Sequence, residues 1–140
     1  MDDVFNPDLM GTSLLNVLIA RCPVRDGIPV ELLVPFKDLY SITILFSNMT
    51  QWPAPGTSKL PDSLSMLSIR YSNLTTIPDI VCGSHVPSNL DTLHIEGAPG
   101  LSSVPLSCIN AWTSLSILAL PTLNLTEIPD AIVALPSPLR

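Results

Sequence analysis

Residues 67–79, LSIRYSNLTTIPD, set apolar side chains on alternate residues, then an asparagine, then an Ile-Pro step. Alternation at a period of two marks a half-buried strand. The proline ends it, because its fixed φ and missing N–H suit a turn or the start of a helix. Met once, the stretch is an ordinary strand running into a turn. Met again at fixed spacing, it sets the architecture.

It does recur. From Leu15, Leu39, Leu64, Leu90 and Leu115 the chain reads LNVLIARCPVRDGIP, LYSITILFSNMTQWP, LSMLSIRYSNLTTIP, LDTLHIEGAPGLSSVP and LSILALPTLNLTEIP, the starts 24, 25, 26 and 25 residues apart. Three steps in stand Leu18, Ile42, Leu67, Leu93 and Leu118; five steps in stand Ala20, Ile44, Ile69, Ile95 and Leu120. Ile28, Trp52, Ile77, Val104 and Ile128 follow in each stretch, every one preceding a proline. The residues three and five steps in are expected to point inward from a short strand, with five such strands stacked in parallel about 4.8 Å apart and the apolar-Pro step turning the chain away.

The pattern L-x-x-L-x-L…L-x-x-I-P at this period resembles the leucine-rich repeat. The resemblance covers residues 15–136. It implies a β-rich α/β solenoid of about five repeats, with a short parallel sheet on the concave face and turns or short helices on the convex side. Residues 1–14 then form a partial cap or linker, and 137–140 a tail or truncated continuation. One unit leaves an apolar face exposed, so stacking makes the core. The asparagine or cysteine usual at position nine is absent; Ser47, Ser72 and Leu123 stand there, with Asn48, Asn73 and Asn124 one step later. The spine of hydrogen bonds is therefore expected to be weaker or differently built.

Those asparagines open NMT, NLT and NLT, the acceptor pattern for N-glycosylation. Leucine-rich turns produce Asn-x-Thr readily, yet at position ten the side chain is expected to face solvent. Cys82 and Cys108 follow the prolines of adjacent units by four and three residues. They are read either as a disulfide, with Cα atoms about 5–6 Å apart, or as two buried small hydrophobes. Cys22 is left unpaired.

The outward strand positions supply a candidate ligand face: Arg21, Phe46, Met66, Arg70, Tyr71, His94 and Glu96. Aromatic residues and arginine are the types enriched in binding hot spots. His94 and Glu96 lack a nucleophile, a third metal ligand or a phosphate loop, and read as a polar pair with Arg70. No catalytic motif, metal set or cofactor is expected.

Composition sets the remaining bounds. The 140 residues are 46% hydrophobic with mean hydropathy +0.45, and 15 are proline. The long uncharged run between Glu96 and Glu127 is broken by prolines and polar residues, so no membrane span is expected. A net charge of −6 and scattered basic residues speak against nucleic acid. The acidic start MDDVFNPDLM followed by the short LLNVLIA is unlike an export signal. Neither end resembles a polar capping unit, which suggests flanking domains of a longer polypeptide.

Two functions from different classes are compatible with this reading. One is a protein- or peptide-binding module in the ectodomain of a membrane-anchored receptor or secreted surface protein, since the unit texture looks like oomycete surface leucine-rich repeat proteins and receptor-like kinases. The other is a cytoplasmic scaffold or adaptor in signalling. The sequons favour the first, and the odd cysteine count the second.

Overall fold

Five strands carry the fold: β1 (Asn16–Ala20), β2 (Ser41–Leu45), β3 (Met66–Arg70), β4 (Thr92–Glu96) and β5 (Ile117–Ala119). In the computed structural model, which describes residues 4–135, all neighbours pair in parallel in the order β1-β2-β3-β4-β5. Val17, Ile42, Leu67, Leu93 and Leu118 lie side by side across the sheet, so paired residues stand 25, 25, 26 and 25 positions apart. Every connection is thus the same length to within one residue. With a few short helices, this is an α/β arrangement. The expected tail, 137–140, lies outside the described residues.

The prolines shape the connections. Pro29, Pro78, Pro105 and Pro129 each precede a single turn: α2 (Val30–Leu33), a 3₁₀ turn (Asp79–Val81), α3 (Leu106–Ile109) and α4 (Asp130–Val133). A further 3₁₀ turn (Gly83–His85) follows the first, and α1 (Pro7–Met10) precedes β1. Each of the four prolines sits one place before the helix proper with extended ψ of 128–147°, so it aims the turn rather than joining it. After Pro53 no helix forms, because Ala54 is followed by Pro55 and the residue before a proline is pushed out of the helical region.

The inward residues form one core. Ile42, Ile44, Leu67, Ile69, Leu93 and Ile95 are fully buried, as are Leu39 and Leu64 at the strand entrances. Burying each such side chain contributes about 1.5–3 kcal/mol. Trp52 and Trp112 fill the space between connections, and each finds a partner for its indole N–H: Trp52 donates to the Ile28 carbonyl at 2.8 Å and Trp112 to the Val81 carbonyl at 2.7 Å. The packing thins at β5, where Leu118 and Leu120 are only half-buried, and Ile128, the apolar residue of the last Ile-Pro step, is 72% exposed. Only β4 pairs with β5 among the described residues, so nothing there covers its far side.

The first strand corrects the sequence reading. Leu18 was assigned inward, but it is 69% exposed while Val17 is 6% exposed. Val17 pairs with Ile42 and Ile19 with Ile44, so the inward residues are Val17 and Ile19, not Leu18 and Ala20. Adjacent leucines at 14 and 15 let the pattern be phased either way, and a slip of one residue flips every side chain to the other face. Counted from Leu14, Arg21 moves from the seventh position to the eighth and Cys22 from the eighth to the ninth.

Polar contacts tie each connection to the one before. Ser63 donates its hydroxyl to the Leu39 carbonyl and Ser114 to that of Leu90, the same bond two units apart. Thr50 N–H donates to Arg25 and Thr75 N–H to Thr50, with the threonine hydroxyls making longer contacts of 3.4 and 3.5 Å to the same carbonyls. Asp62 accepts from Lys59 at 2.8 Å and from the Ser88 N–H at 3.0 Å. The Lys59 hydrogen bond, then that from Ser88, lowers the Asp62 carboxyl to about 2.

A pH prediction follows with a fixed sign. A depressed carboxyl pKa stabilises the fold above its unfolded value near 3.9 and loses that contribution as pH falls through about 2. Asp62 is exposed, so solvent screening holds the effect to about 1 kcal/mol or less. Urea unfolding of Asp62→Asn is expected to fall short of the parent protein above pH 4, the two curves converging as pH approaches 2.

Candidate functional site

The candidate site is the sheet face opposite the core. Alternation places Ser41, Thr43 and Leu45, then Met66, Ser68 and Arg70, then Thr92, His94 and Glu96 on this side. Continued one step, alternation would send the next residue inward. It does not. Arg21, Phe46, Tyr71 and Thr122 have φ of 56°, 52°, 58° and 53°, and Gly97 has 66°. One left-handed residue at the end of each strand breaks the alternation, and Arg21, Phe46, Tyr71 and Thr122 are exposed.

These residues form a row. The guanidinium of Arg21 lies 5.7 Å from the centre of the Phe46 ring. Phe46 stacks on Tyr71 with ring centres 5.0 Å apart and an interplanar angle of 8°. Beyond Tyr71 stands Gly97, where a Cβ would fall 2.6 Å from the tyrosine ring. Glycine is favoured there by its positive φ, and the ring beside it leaves no room for a Cβ. Phe46 and Tyr71 remain 52% and 47% exposed, which leaves a flat aromatic surface facing solvent.

A polar cluster adjoins the row. The Tyr71 hydroxyl donates to Glu96 Oε1 at 3.3 Å. Glu96 Oε2 lies 3.4 Å from Arg70 Nε and 3.2 Å from His94 Nε2. Both nitrogens are buried and within ion-pair distance, yet neither is aligned for a hydrogen bond. Arg70 Nη2 approaches His94 Nδ1 at 3.3 Å; arginine can only donate, so in this contact Nδ1 accepts. The register pairs Arg70 with Glu96 and Ser68 with His94, which is why the cluster forms.

Of the residues singled out from sequence, Phe46, Arg70, Tyr71, His94 and Glu96 come together. Arg21 joins through the corrected register of β1. Met66, 37% exposed, lies on the same face at the far end of β3. Gly97 and Thr122 share the outward eighth position with Phe46 and Tyr71 in the sequence but are not among the site residues singled out from it. Their signal was available: both stand at the eighth position of their stretch, where a left-handed turn follows each strand.

Around the site, Ser47 and Ser72 are buried and accept long contacts of 3.4 and 3.5 Å from the N–H groups two residues on, in the turns after β2 and β3. Asn48, Asn73 and Asn124 are exposed, and Asn48 Oδ1 accepts from the Val24 N–H at 2.9 Å. Cys82 and Cys108 are joined as a disulfide with Cα atoms 3.9 Å apart, closer than anticipated. Cys22 is free and exposed. Among the described residues no group of three or more His, Cys, Asp or Glu could hold a metal ion, and no helix is long and apolar enough to cross a membrane. Comparison with protein-family models, with curated proteins and with solved structures finds no match.

Proposed function

We propose that the chain is a leucine-rich-repeat solenoid that recognises a protein or peptide on its strand face, as part of an extracellular receptor or surface protein. One observation carries this: bulky side chains occupy left-handed positions in a row. For a residue other than glycine that conformation costs about 1–2 kcal/mol, and it is a genuine outlier for a large side chain. Phe46 and Tyr71 accept it and stay exposed, where glycine would meet the turn without strain. Backbone strain of this kind clusters at working sites, and here it holds an exposed pair of stacked rings.

The arrangement fits a binding anchor. The aromatic pair offers rigid apolar area, and Arg21, Arg70 and Glu96 frame it with charge of both signs. His94 and Glu96 are already engaged by Arg70 and by each other, which argues for a fixed polar patch rather than a general acid or base. The Cys82–Cys108 disulfide supports the extracellular reading, because such bonds persist in oxidising compartments. The alternative, a cytoplasmic scaffold or adaptor, is favoured by the exposed thiol of Cys22.

The test compares captured partners. The parent protein and an Arg70→Ala, Tyr71→Ala variant, both tagged and matched for melting temperature, are used to capture proteins from the source organism. The parent is expected to retain partners that the variant binds at least about tenfold more weakly, a loss of about 1.4 kcal/mol. Equal retention of every partner by both proteins rules out this face.

A further inference from the structure

We infer that Asn48, Asn73 and Asn124 carry N-linked glycans, forming a row of sugars along the edge of the sheet beside the aromatic pair. The inference rests on the extracellular half of the reading above. Seven asparagines occur in the chain, and the three that begin an N-x-Thr pattern are the three that lie two residues after a left-handed turn. Phe46 leads to Asn48, Tyr71 to Asn73 and Thr122 to Asn124. In each case the turned backbone sends the asparagine out to solvent.

The competing explanation is structural, and it accounts for only part of the pattern. Thr50 and Thr75 direct their hydroxyls at the carbonyl of the preceding connection, so a threonine two places after the asparagine serves the fold. The asparagines are different. Asn73 and Asn124 make no side-chain hydrogen bond among the described residues. Asn48 uses only Oδ1, to the Val24 N–H, and its Nδ2 is unengaged. The atom that would take a sugar is therefore free in all three.

The chemistry balances with one co-reactant, an oligosaccharide linked through a diphosphate to a lipid. The amide Nδ2 attacks C1 of the first sugar, the C1–O bond to the diphosphate breaks, and the N–C1 bond forms. The lipid diphosphate leaves with the bonding pair, and the amide proton passes to a base. The reaction runs in the compartment where the Cys82–Cys108 bond would also form.

The test is site-resolved. The full chain is expressed behind a cleavable secretory leader in insect or mammalian cells, and the secreted protein is deglycosylated enzymatically in H₂¹⁸O. Each glycosylated asparagine then becomes ¹⁸O-labelled aspartate, read by peptide mass. Label at two or three of the positions supports the inference; label at one or none overturns it. An Asn73→Gln, Asn124→Gln variant made in bacteria is expected to melt within about 2 °C of the parent. A larger drop would show that the fold, not a sugar, retains these side chains. A native chain tagged in its own host and found inside the cell counts against the extracellular reading; a secreted chain that stays unlabelled counts against these sites alone.

Discussion

Trp52→Ala will lower the unfolding free energy by about 4 kcal/mol, the range for losing a large aromatic from a packed core. The ring is 1% exposed. It lies against the backbone at Gly27, where an added Cβ would come within 2.4 Å of the indole, so on that side there is no side chain to fill the space. Truncation also strands the Ile28 carbonyl, which now accepts the indole N–H at 2.8 Å, and an unsatisfied buried acceptor costs about 1–3 kcal/mol. Trp52→Phe separates these contributions: it keeps most of the volume, loses the hydrogen bond and is expected to fall between the parent and the alanine variant. Urea denaturation followed by tryptophan fluorescence from Trp112 measures all three. A loss below about 1 kcal/mol for the alanine variant would mean that the ring does not hold the second and first connections together.

The second large effect comes from removing the cross-link between Cys82 and Cys108. The bond closes a loop with a sequence separation of 26, and constraining the unfolded chain by that amount stabilises the fold by about 3 kcal/mol. Cys108 is buried, so alanine is the better replacement because it adds no hydroxyl in need of a partner. Cys82→Ala, Cys108→Ala is expected to unfold at a lower urea concentration than the parent, and reductant is expected to move the parent to the variant's midpoint. Cys22→Ala should do neither, because its thiol is exposed and free. Alkylation under denaturing, non-reducing conditions gives the direct count: one modified thiol supports the bond, and three would exclude it.

Much of the sheet could be read from the chain, for a physical reason. Inside β2, β3 and β4 the inward places hold only Ile and Leu, and each set is fixed in phase by a buried leucine ahead of it and an apolar-Pro step behind. β1 lacks that protection. Leu14 and Leu15 offer two phases, and Val17-Leu18-Ile19 is apolar throughout, so only pairing with β2 decides which side faces the core. Conformation was the harder part of the site. That Phe46 and Tyr71 share a position was evident; that they share a left-handed φ was not, since glycine or asparagine is the residue type expected there. The contacts among Arg70, His94 and Glu96 followed from strand register, once the spacing across β3 and β4 was counted as 26 rather than 25.

The stack of Phe46 on Tyr71 also sets a ruler. Ring centres 5.0 Å apart repeat at close to the distance between strands, about 4.8 Å. A chain in the polyproline II conformation laid across the strands advances about 3.1 Å per residue with three residues per turn, so one turn matches two strands to within a few tenths of an ångström. Under the binding proposal, a peptide running that way would present every third side chain toward the strands and hold the two between them away. Selectivity along this face would accordingly be written in triplets.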